Sequence, residues 1–302
     1  MTEAKMNVDG SVSVVGLGEL LWDIFPDGPR FGGAPANFAC STAALSNKFD
    51  VAMASAVGDD ELGQNALQEL KRRGVGTSAV AVRSEPTGTV HVSLNETGHA
   101  SYQFAENTAW DFLSWNDGLE ELAARTQALC FGTLGQRNQT SRETIQRFVQ
   151  STPDSALKIF DINLRPPFYD DDVIQQSLRI CTALKLNDEE LPLVAKLSDA
   201  SGSDYELLPK IADRWKLNTI ALTLGASGAA LWHDGTLFKA DGVETTVRDT
   251  VGAGDSFTAT LAVGLLSGCD PQHVIERACE VAAFVCSQDG ATPEFPDRLK
   301  FV

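Results

Sequence analysis

The chain has 302 residues, a formal net charge of -17 at pH 7 and 43% apolar residues, enough for a sizeable core around one main domain with an inserted element. So acidic a chain, without clusters of Lys and Arg, excludes a nucleic-acid surface, and no apolar run is long enough to span a bilayer. Six cysteines at positions 40, 130, 181, 269, 279 and 286 contain no CxxC pair and read as reduced core thiols; with a polar N-terminal stretch, MTEAKMNVDG, that lacks an export pattern, they predict a cytoplasmic protein.

Residues 11–17 (SVSVVGL) are β-branched and apolar nearly throughout, the pattern of a strand buried on both faces. Gly16 and Gly18 begin a dinucleotide fingerprint, but Leu21 stands where its third glycine belongs, so a nicotinamide reading fails at its own motif. Asp23 then precedes the turn-rich Pro26-Asp27-Gly28-Pro29; an acid there is either a turn residue or a bidentate acceptor for sugar hydroxyls. Gly32 and Gly33 allow close backbone approach, Pro35 suits a first helical turn, and Asn37 offers a donor and an acceptor to a ligand or to nearby backbone.

A second strand is predicted over 51–57, followed by an amphipathic helix through Leu62, Ala66, Leu67 and Leu70 that ends near Gly74. Between 87 and 104 the pattern changes. Val90, Val92 and Leu94 alternate with His91, Ser93 and Asn95, and Thr97-Gly98 supplies a turn before 100–104, which predicts a hairpin with one apolar face. Inserted in an α/β chain, such a hairpin covers a partner subunit or the mouth of a site. His91 and His99 have no metal-ligand spacing, and Asn95-Glu96-Thr97 and Asn138-Gln139-Thr140 match the glycosylation pattern by chance in a chain without an export signal.

Short apolar strands at 129–134, 159–163, 183–186 and 219–224 alternate with helical segments such as 141–150 and 206–215, and the alternation persists to the end. The pattern predicts α/β architecture: a Rossmann-like, mostly parallel central sheet with helices on both faces. Ligands in such sheets bind at the carboxyl ends of the strands. Three strand ends stand out: Asp161, Asn163 and Arg165 lie together, with an Asp161–Arg165 ion pair as the plain alternative; the acidic run from Asn187 to Glu190 opens a helix as an ordinary N-cap would; and Thr223 leads into a glycine turn through Gly225 and Gly228.

The chain is organised around Asp249-Thr250-Val251-Gly252-Ala253-Gly254-Asp255 and the apolar run 256–266. Two glycines and a following buried helix form a loop feeding a helix N-terminus, where Gly252, Ala253 and Gly254 are placed to donate to an anion. Asp255 beside a transferring phosphoryl group would accept the proton of an attacking hydroxyl; the alternative is that Asp249 and Asp255 only cap a helix. No G-x-x-x-x-G-K-[ST] occurs, so there is no P-loop, and a helix over 271–287 and a turn at 288–293 follow.

The segment DTVGAGDSFTATLAVGLL (249–266) resembles the C-terminal signature of the ribokinase-like (PfkB) carbohydrate kinase family, and Gly32-Gly33-Ala34-Pro35-Ala36-Asn37 resembles its N-terminal signature. GELLWDIFPDG, GGAPANFA, TLGQR with SRETI, and FDINLRPPFY look like the fructokinase-like branch. The resemblance runs from about Val12 to Pro293 and implies one kinase domain over 1–302, with a small β-sheet lid built from about 19–33 and 86–109.

It further implies an ATP-dependent sugar kinase with Asp255 as general base and the 252–254 backbone stabilising the transferred group. Asp23, Gly32, Gly33, Asn37, Tyr102, Phe104 and Arg165 would bind the sugar, and Asn187, Thr223, Gly225, Gly228, Gly252 and Gly254 the nucleotide. Asn187 and Glu190 would hold Mg2+ through water, and Asp249, Val251 and Gly290 a monovalent cation such as K+. A homodimer through the lid is implied as well. The preferred substrate is fructose, phosphorylated at a terminal hydroxyl; ribose, a nucleoside, tagatose and 2-keto-3-deoxygluconate share the scaffold, and Arg165 suits a carboxylate as well as a phosphate. A sugar-binding protein without catalysis is the rival class, and neither a replaced base nor a broken glycine turn marks it.

Overall fold

The computed structural model describes residues 12–94 and 100–301. The N-terminal stretch, the Thr97-Gly98 turn, the 95–97 glycosylation pattern and His99 lie outside the described residues.

The chain opens with β1 (Val12–Leu17), β2 (Leu21–Phe25) and β3 (Gly28–Gly32), then α1 (Ala34–Leu45), β4 (Phe49–Gly58), α2 (Glu61–Arg72) and β5 (Val80–Arg83). The inserted hairpin is β6 (Gly88–Leu94) and β7 (Ala100–Phe104). Next come α3 (Asp117–Arg125), β8 (Thr126–Phe131), α4 (Gln139–Ser151), β9 (Leu157–Asp161), α5 (Asp171–Ile180) and β10 (Ala183–Asn187). The last part comprises α6 (Leu191–Leu197), α7 (Asp204–Trp215), β11 (Thr219–Thr223), β12 (Ala229–His233), β13 (Thr236–Ala240), α8 (Ala253–Leu266) and α9 (Pro271–Cys286).

Nine strands form one sheet in the order β13-β12-β11-β10-β9-β8-β1-β4-β5, parallel from β11 to β5. The strands β9 and β10 bury Ile159, Phe160, Leu184 and Leu186 completely or nearly so, as apolar runs covered on both faces should. One face carries α3 to α7, through Leu119, Ile145, Phe148, Ile174, Leu178 and Leu208. The other carries α1, α2, α8 and α9, through Phe38, Leu70, Ala259, Val263, Val281 and Val285. Buried through Ser256–Gly264, α8 lies against both α1 and α9, which explains its small and apolar sequence.

Two details differ from the sequence reading. The strand expected at 129–134 runs from Thr126 to Phe131, because residues 134–136 tighten into a 3-10 turn. The strand-helix alternation also stops before the end: β12 and β13 pair antiparallel with β11 and with each other, closing one edge of the sheet as a meander. Gly235 and Asp234, both with positive φ, make the tight connection that such a hairpin needs.

The second sheet has the order β3-β2-β6-β7, antiparallel except for the parallel β2–β6 pair. Its strands come from the two segments assigned to the lid. Val90 and Val92 face inward and His91 outward, which is the alternation read from the sequence.

The order of the large sheet reverses at β1: the chain moves outward through β4 and β5, then returns to β8 on the other side of β1 and proceeds to β11. Such a switch point leaves a crevice beyond the strand ends, and here Glu19, Gly132, Thr133, Asp161 and Asn163 line it together with Asp255. The small sheet springs from the same end of β1.

Candidate active site

Gly252 is the N-cap of α8; its φ of 78° is left-handed and a Cβ there would run into Ala291, so a side chain meets both strain and backbone. The N-H of Ser256 closes the first helical bond on the Gly252 carbonyl at 2.8 Å, which leaves the preceding N-H groups at the positive end of a long buried helix. Asp249 accepts the Val251 N-H at 3.0 Å on Oδ1, fixing the approach to the turn.

Asp255 stands in this first turn. Its Oδ2 accepts Asn37 Nδ2 at 2.8 Å from the start of α1, so the two glycine-flanked motifs meet. Burial, reinforced by the nearby Asp161, pushes the Asp255 carboxyl up to about 6, against the opposing effects of Asn37, Lys185 and Arg165. A carboxylate of that basicity, with one oxygen held, is suited to take a proton from an alcohol.

Asp161 closes β9 and is bonded on both oxygens: Lys185 Nζ lies 3.1 Å from Oδ1, and Thr258 Oγ1 donates to Oδ2 at 2.9 Å. The alternative Asp161–Arg165 pair therefore gives way to an Asp161–Lys185 pair, because Lys185 on the adjacent β10 points along the same sheet edge. Burial works against the Lys185 ammonium, but Asp161, Glu190 and Asp255 outweigh it and hold its pKa above the ordinary lysine value. Lys185 and Thr258 are functional candidates that sequence reasoning missed; a lysine inside the otherwise apolar ALKL strand was the signal available.

Asp23 lies on β2, opposite Arg30 on β3. Burial pushes its carboxyl up to about 6, with Arg165 pulling the other way. A Cβ on Gly32 would fall 2.6 Å from Asp23 Oδ2, so that glycine makes room for the carboxylate. Gly33, with φ 109°, caps α1 against the Glu19 carbonyl. Arg165 is exposed on the loop after β9, reached through Asn163 in left-handed backbone at φ 38°, and its charge acts on Glu19, Asp23 and Asp255 alike. Glu19 was missed too: it is 3% exposed, its Oε2 has no hydrogen-bond partner, and burial pushes it up to about 7.

Among the other expected residues, Phe104 packs edge-on against Phe168 with ring centroids 5.3 Å apart, while Tyr102 is 56% exposed on the outer strand. Asn187 and Glu190 close the turn before α6 reciprocally: Asn187 Oδ1 accepts the Glu190 N-H at 2.8 Å, and Glu190 accepts the N-H groups of Asn187 and Leu164, each at 2.9 Å. Those bonds leave Asn187 Nδ2 and second lone pairs on Glu190, which fit the water shell of a divalent ion better than direct ligation. Among the described residues no group of three or more His, Cys, Asp or Glu side chains is arranged to hold a metal.

Thr223 ends β11 beside Asp188, and Gly225, with open space around its Cα, leaves room for a ligand. Gly228 differs: with φ 99° it lies directly against the backbone at 240–242, so its glycine serves chain packing. Of the cation trio, Asp249 and Val251 flank the turn that rests on Ala291, and Gly290 adjoins that contact.

Residues 28–298 match the family model described as pfkB family carbohydrate kinase. PH1459 of Pyrococcus horikoshii, described as an uncharacterized sugar kinase, is 29% identical over 283 residues, covering 89% of this chain and 86% of that one, and its structure in complex with ATP superposes with a TM-score of 0.74. The fructokinase of Escherichia coli is 27% identical over 307 residues, 95% of this chain and 97% of its own. The fructokinase of Vibrio cholerae O395, solved with fructose, ADP and calcium ion, shares 25% identity and a TM-score of 0.77 over 96% of both chains.

Proposed function

The chain belongs to the pfkB family of carbohydrate kinases, and from that premise we propose that it transfers the γ-phosphoryl group of ATP to the terminal hydroxyl of fructose. The observation that carries the catalytic part is the Asn37–Asp255 bond, which aims a basic carboxylate at the N-terminus of α8. In this reading the sugar lies between Asp23, Asn37 and Arg165, with its reacting hydroxyl at Asp255. As that oxygen attacks, Asp255 takes its proton, and the N-H groups of 252–254, of which that of Ala253 makes only a long 3.3 Å bond to the Thr250 carbonyl, stabilise charge on the transferred group.

ATP, held with Mg2+ at its phosphates, supplies the phosphoryl group. Gly225 and the 252–254 turn would border the nucleotide, Thr223 would approach it, and Asn187 and Glu190 would order the water around the metal. A K+ ion beside Asp249, Val251 and Gly290 is part of the same reading, since the two backbone turns that would supply carbonyls lie side by side. The small sheet would act as the lid and as a homodimer contact; its edge strand β7 and the exposed Tyr102 support that use. Six free cysteines suit a reducing compartment, and the reaction is assigned to the cytoplasm.

The fructokinase names among relatives of 25–27% identity favour fructose. The exposed guanidinium of Arg165 favours a second reading, a sugar acid such as 2-keto-3-deoxygluconate, whose carboxylate it would pair. ATP consumption by the purified protein with magnesium and potassium, against fructose, ribose, adenosine, tagatose and 2-keto-3-deoxygluconate, separates them by kcat/KM. Higher efficiency with the sugar acid overturns fructose, and silence on all five with measurable sugar binding revives the non-catalytic class.

A further inference from the structure

Lys185 occupies a position that an ion pair alone does not explain. Its side chain is 9% exposed, and its Nζ lies 3.0 Å from where a Cβ on Gly254 would stand, directly behind the N-terminal turn of α8. A chain of contacts fixes it there: Lys185 Nζ donates to Asp161 at 3.1 Å, and the single Thr258 hydroxyl proton is shared between Asp161 Oδ2 at 2.9 Å and the Gly254 carbonyl at 3.0 Å. The lysine, the strand end and the first turn of the helix are thus one rigid unit.

An ammonium has three donors, and one is spent on Asp161. Thr258 serves the other oxygen of Asp161, so that carboxylate takes one ammonium donor and the remaining two are directed elsewhere. The surroundings are otherwise acidic: Glu190 and Asp255 both act on the Lys185 charge, and Asp255 in turn acts on the buried Glu19. A nucleotide phosphate entering such a cleft needs a cation already in place. Arg165 is exposed on a loop and screened by water, whereas Lys185 is buried beside the turn, where a fixed charge acts at low dielectric.

We infer that Lys185 is a further catalytic residue: its ammonium donates to an oxygen of the phosphoryl group in flight, stabilising the charge gathered there alongside the 252–254 backbone. The bond from phosphorus to the bridging oxygen of ATP breaks, its electron pair leaves with ADP, the sugar oxygen bonds to phosphorus, and the hydroxyl proton goes to Asp255. Lys185 stays protonated throughout. Gly254 has no side chain because one would fill the space between the ammonium and the turn. The inference rests on the reading of the 252–254 turn as the site of phosphoryl transfer.

The test compares affinity for MgADP with affinity for MgADP plus aluminium fluoride, a mimic of the phosphoryl group in flight, in the presence of fructose. Lys185→Met should bind MgADP within about threefold of the parent protein and lose about a hundredfold for the mimic, with Lys185→Arg in between. Equal loss for both ligands, or no selective loss, overturns the inference and leaves a structural clamp. Because Lys185→Met strands the buried Asp161, the double variant Lys185→Met/Asp161→Asn removes both charges together. Selective loss persisting in it supports the inference; recovery of mimic binding overturns it, since the lysine would then only neutralise Asp161.

Thr258→Val breaks the clamp and keeps the ammonium, so loss equal to that of Lys185→Met also overturns the inference. Asp255→Asn, run in parallel, distinguishes the two readings: full turnover there removes the base assignment, whereas the selective effect at Lys185 is judged from binding alone.

Discussion

Asn37 Nδ2 donates to Asp255 Oδ2 at 2.8 Å, although 218 residues separate them in the chain. The contact exists because α1 and α8 pack side by side on the same face of the sheet, and both begin at the switch-point crevice. Asn37 is 4% exposed and sits one turn inside α1, so its amide is held by the helix and not by solvent. One oxygen of Asp255 is thereby oriented, and the other is left for chemistry. The resemblance carried by two short motifs has a physical basis in this bond: each motif supplies one half of it.

Asp255→Asn keeps the size of the side chain and removes its basicity. Turnover should fall by about a hundredfold or more while sugar binding, measured by calorimetry, changes little. Unchanged turnover would remove Asp255 from the mechanism.

The pH profile carries a sharper test of the same residue. Burial, with Asp161 adding to it, pushes Asp255 up to about 6, and the base works only when ionised; kcat/KM for the sugar should therefore decline as pH drops through about 6 and hold above it. The Asn37 bond favours the ionised form, so Asn37→Ala should move that acidic limb to higher pH. A limb that stays put in Asn37→Ala would mean that another group is titrating.

The parallel core of the sheet was legible because its strands are short apolar runs bounded by glycine and polar residues, and Val51, Ile159 and Leu184 announce burial on both faces. The meander of β12 and β13 was not, since Trp232, His233, Leu237 and Phe238 are half-buried at an edge and show no clean alternation. At the site, Asp23, Asn37 and Asp255 stood out through their glycine neighbours. Glu19, Lys185 and Thr258 did not, because their meaning lies in contacts across the sheet edge: Lys185 meets Asp161 from the next strand and Thr258 from a helix far along the chain. The reciprocal bonds between Asn187 and Glu190 account for this pair structurally, so the sequence pattern there carries a local turn whether or not it also carries a ligand.

Gly32→Ala tests the seat of Asp23. The new methyl group would fall 2.6 Å from Asp23 Oδ2 and push the carboxylate aside, without touching Asp255. The expected outcome is a KM for the sugar raised about tenfold with a smaller change in kcat, from the loss of one oriented acceptor pair. An unaltered KM would place the sugar away from Asp23.

Arg137 ties the segment after the small sheet to the main body. It bonds Asp111 with both Nε and Nη2 at 2.7 Å, and its guanidinium lies 4.1 Å from the Trp110 ring and 5.0 Å from the Phe168 ring. Arg137→Met leaves the Asp111 carboxylate buried without its partner, which should cost about 3–5 kcal/mol in chemical denaturation. The double variant Arg137→Met/Asp111→Asn should recover part of that loss, and no recovery would mean that packing against the rings, rather than the charge, holds the segment.

Glu19 gives a stability prediction with a defined pH window. Its side chain is buried, Oε2 has no partner, and burial, with Asp255 adding, moves its pKa from 4.5 to about 7. The folded chain therefore holds this proton more tightly than the unfolded chain does. Stability from that proton is fully present below about 4.5 and is lost as pH rises through about 7, because above it the native state must carry a buried charge. Glu19→Gln keeps the shape and never ionises. Its stability relative to the parent should be lowest near pH 4.5 and rise to a gain of about 3 kcal/mol by pH 8, from a shift of roughly 2.5 pKa units at 1.36 kcal/mol each. Denaturant midpoints for both proteins across pH 4.5–8 measure it directly. A constant difference over that range would mean that Glu19 is ionised in the native state at all these values, and the crevice would then have to hold a counter-charge for it.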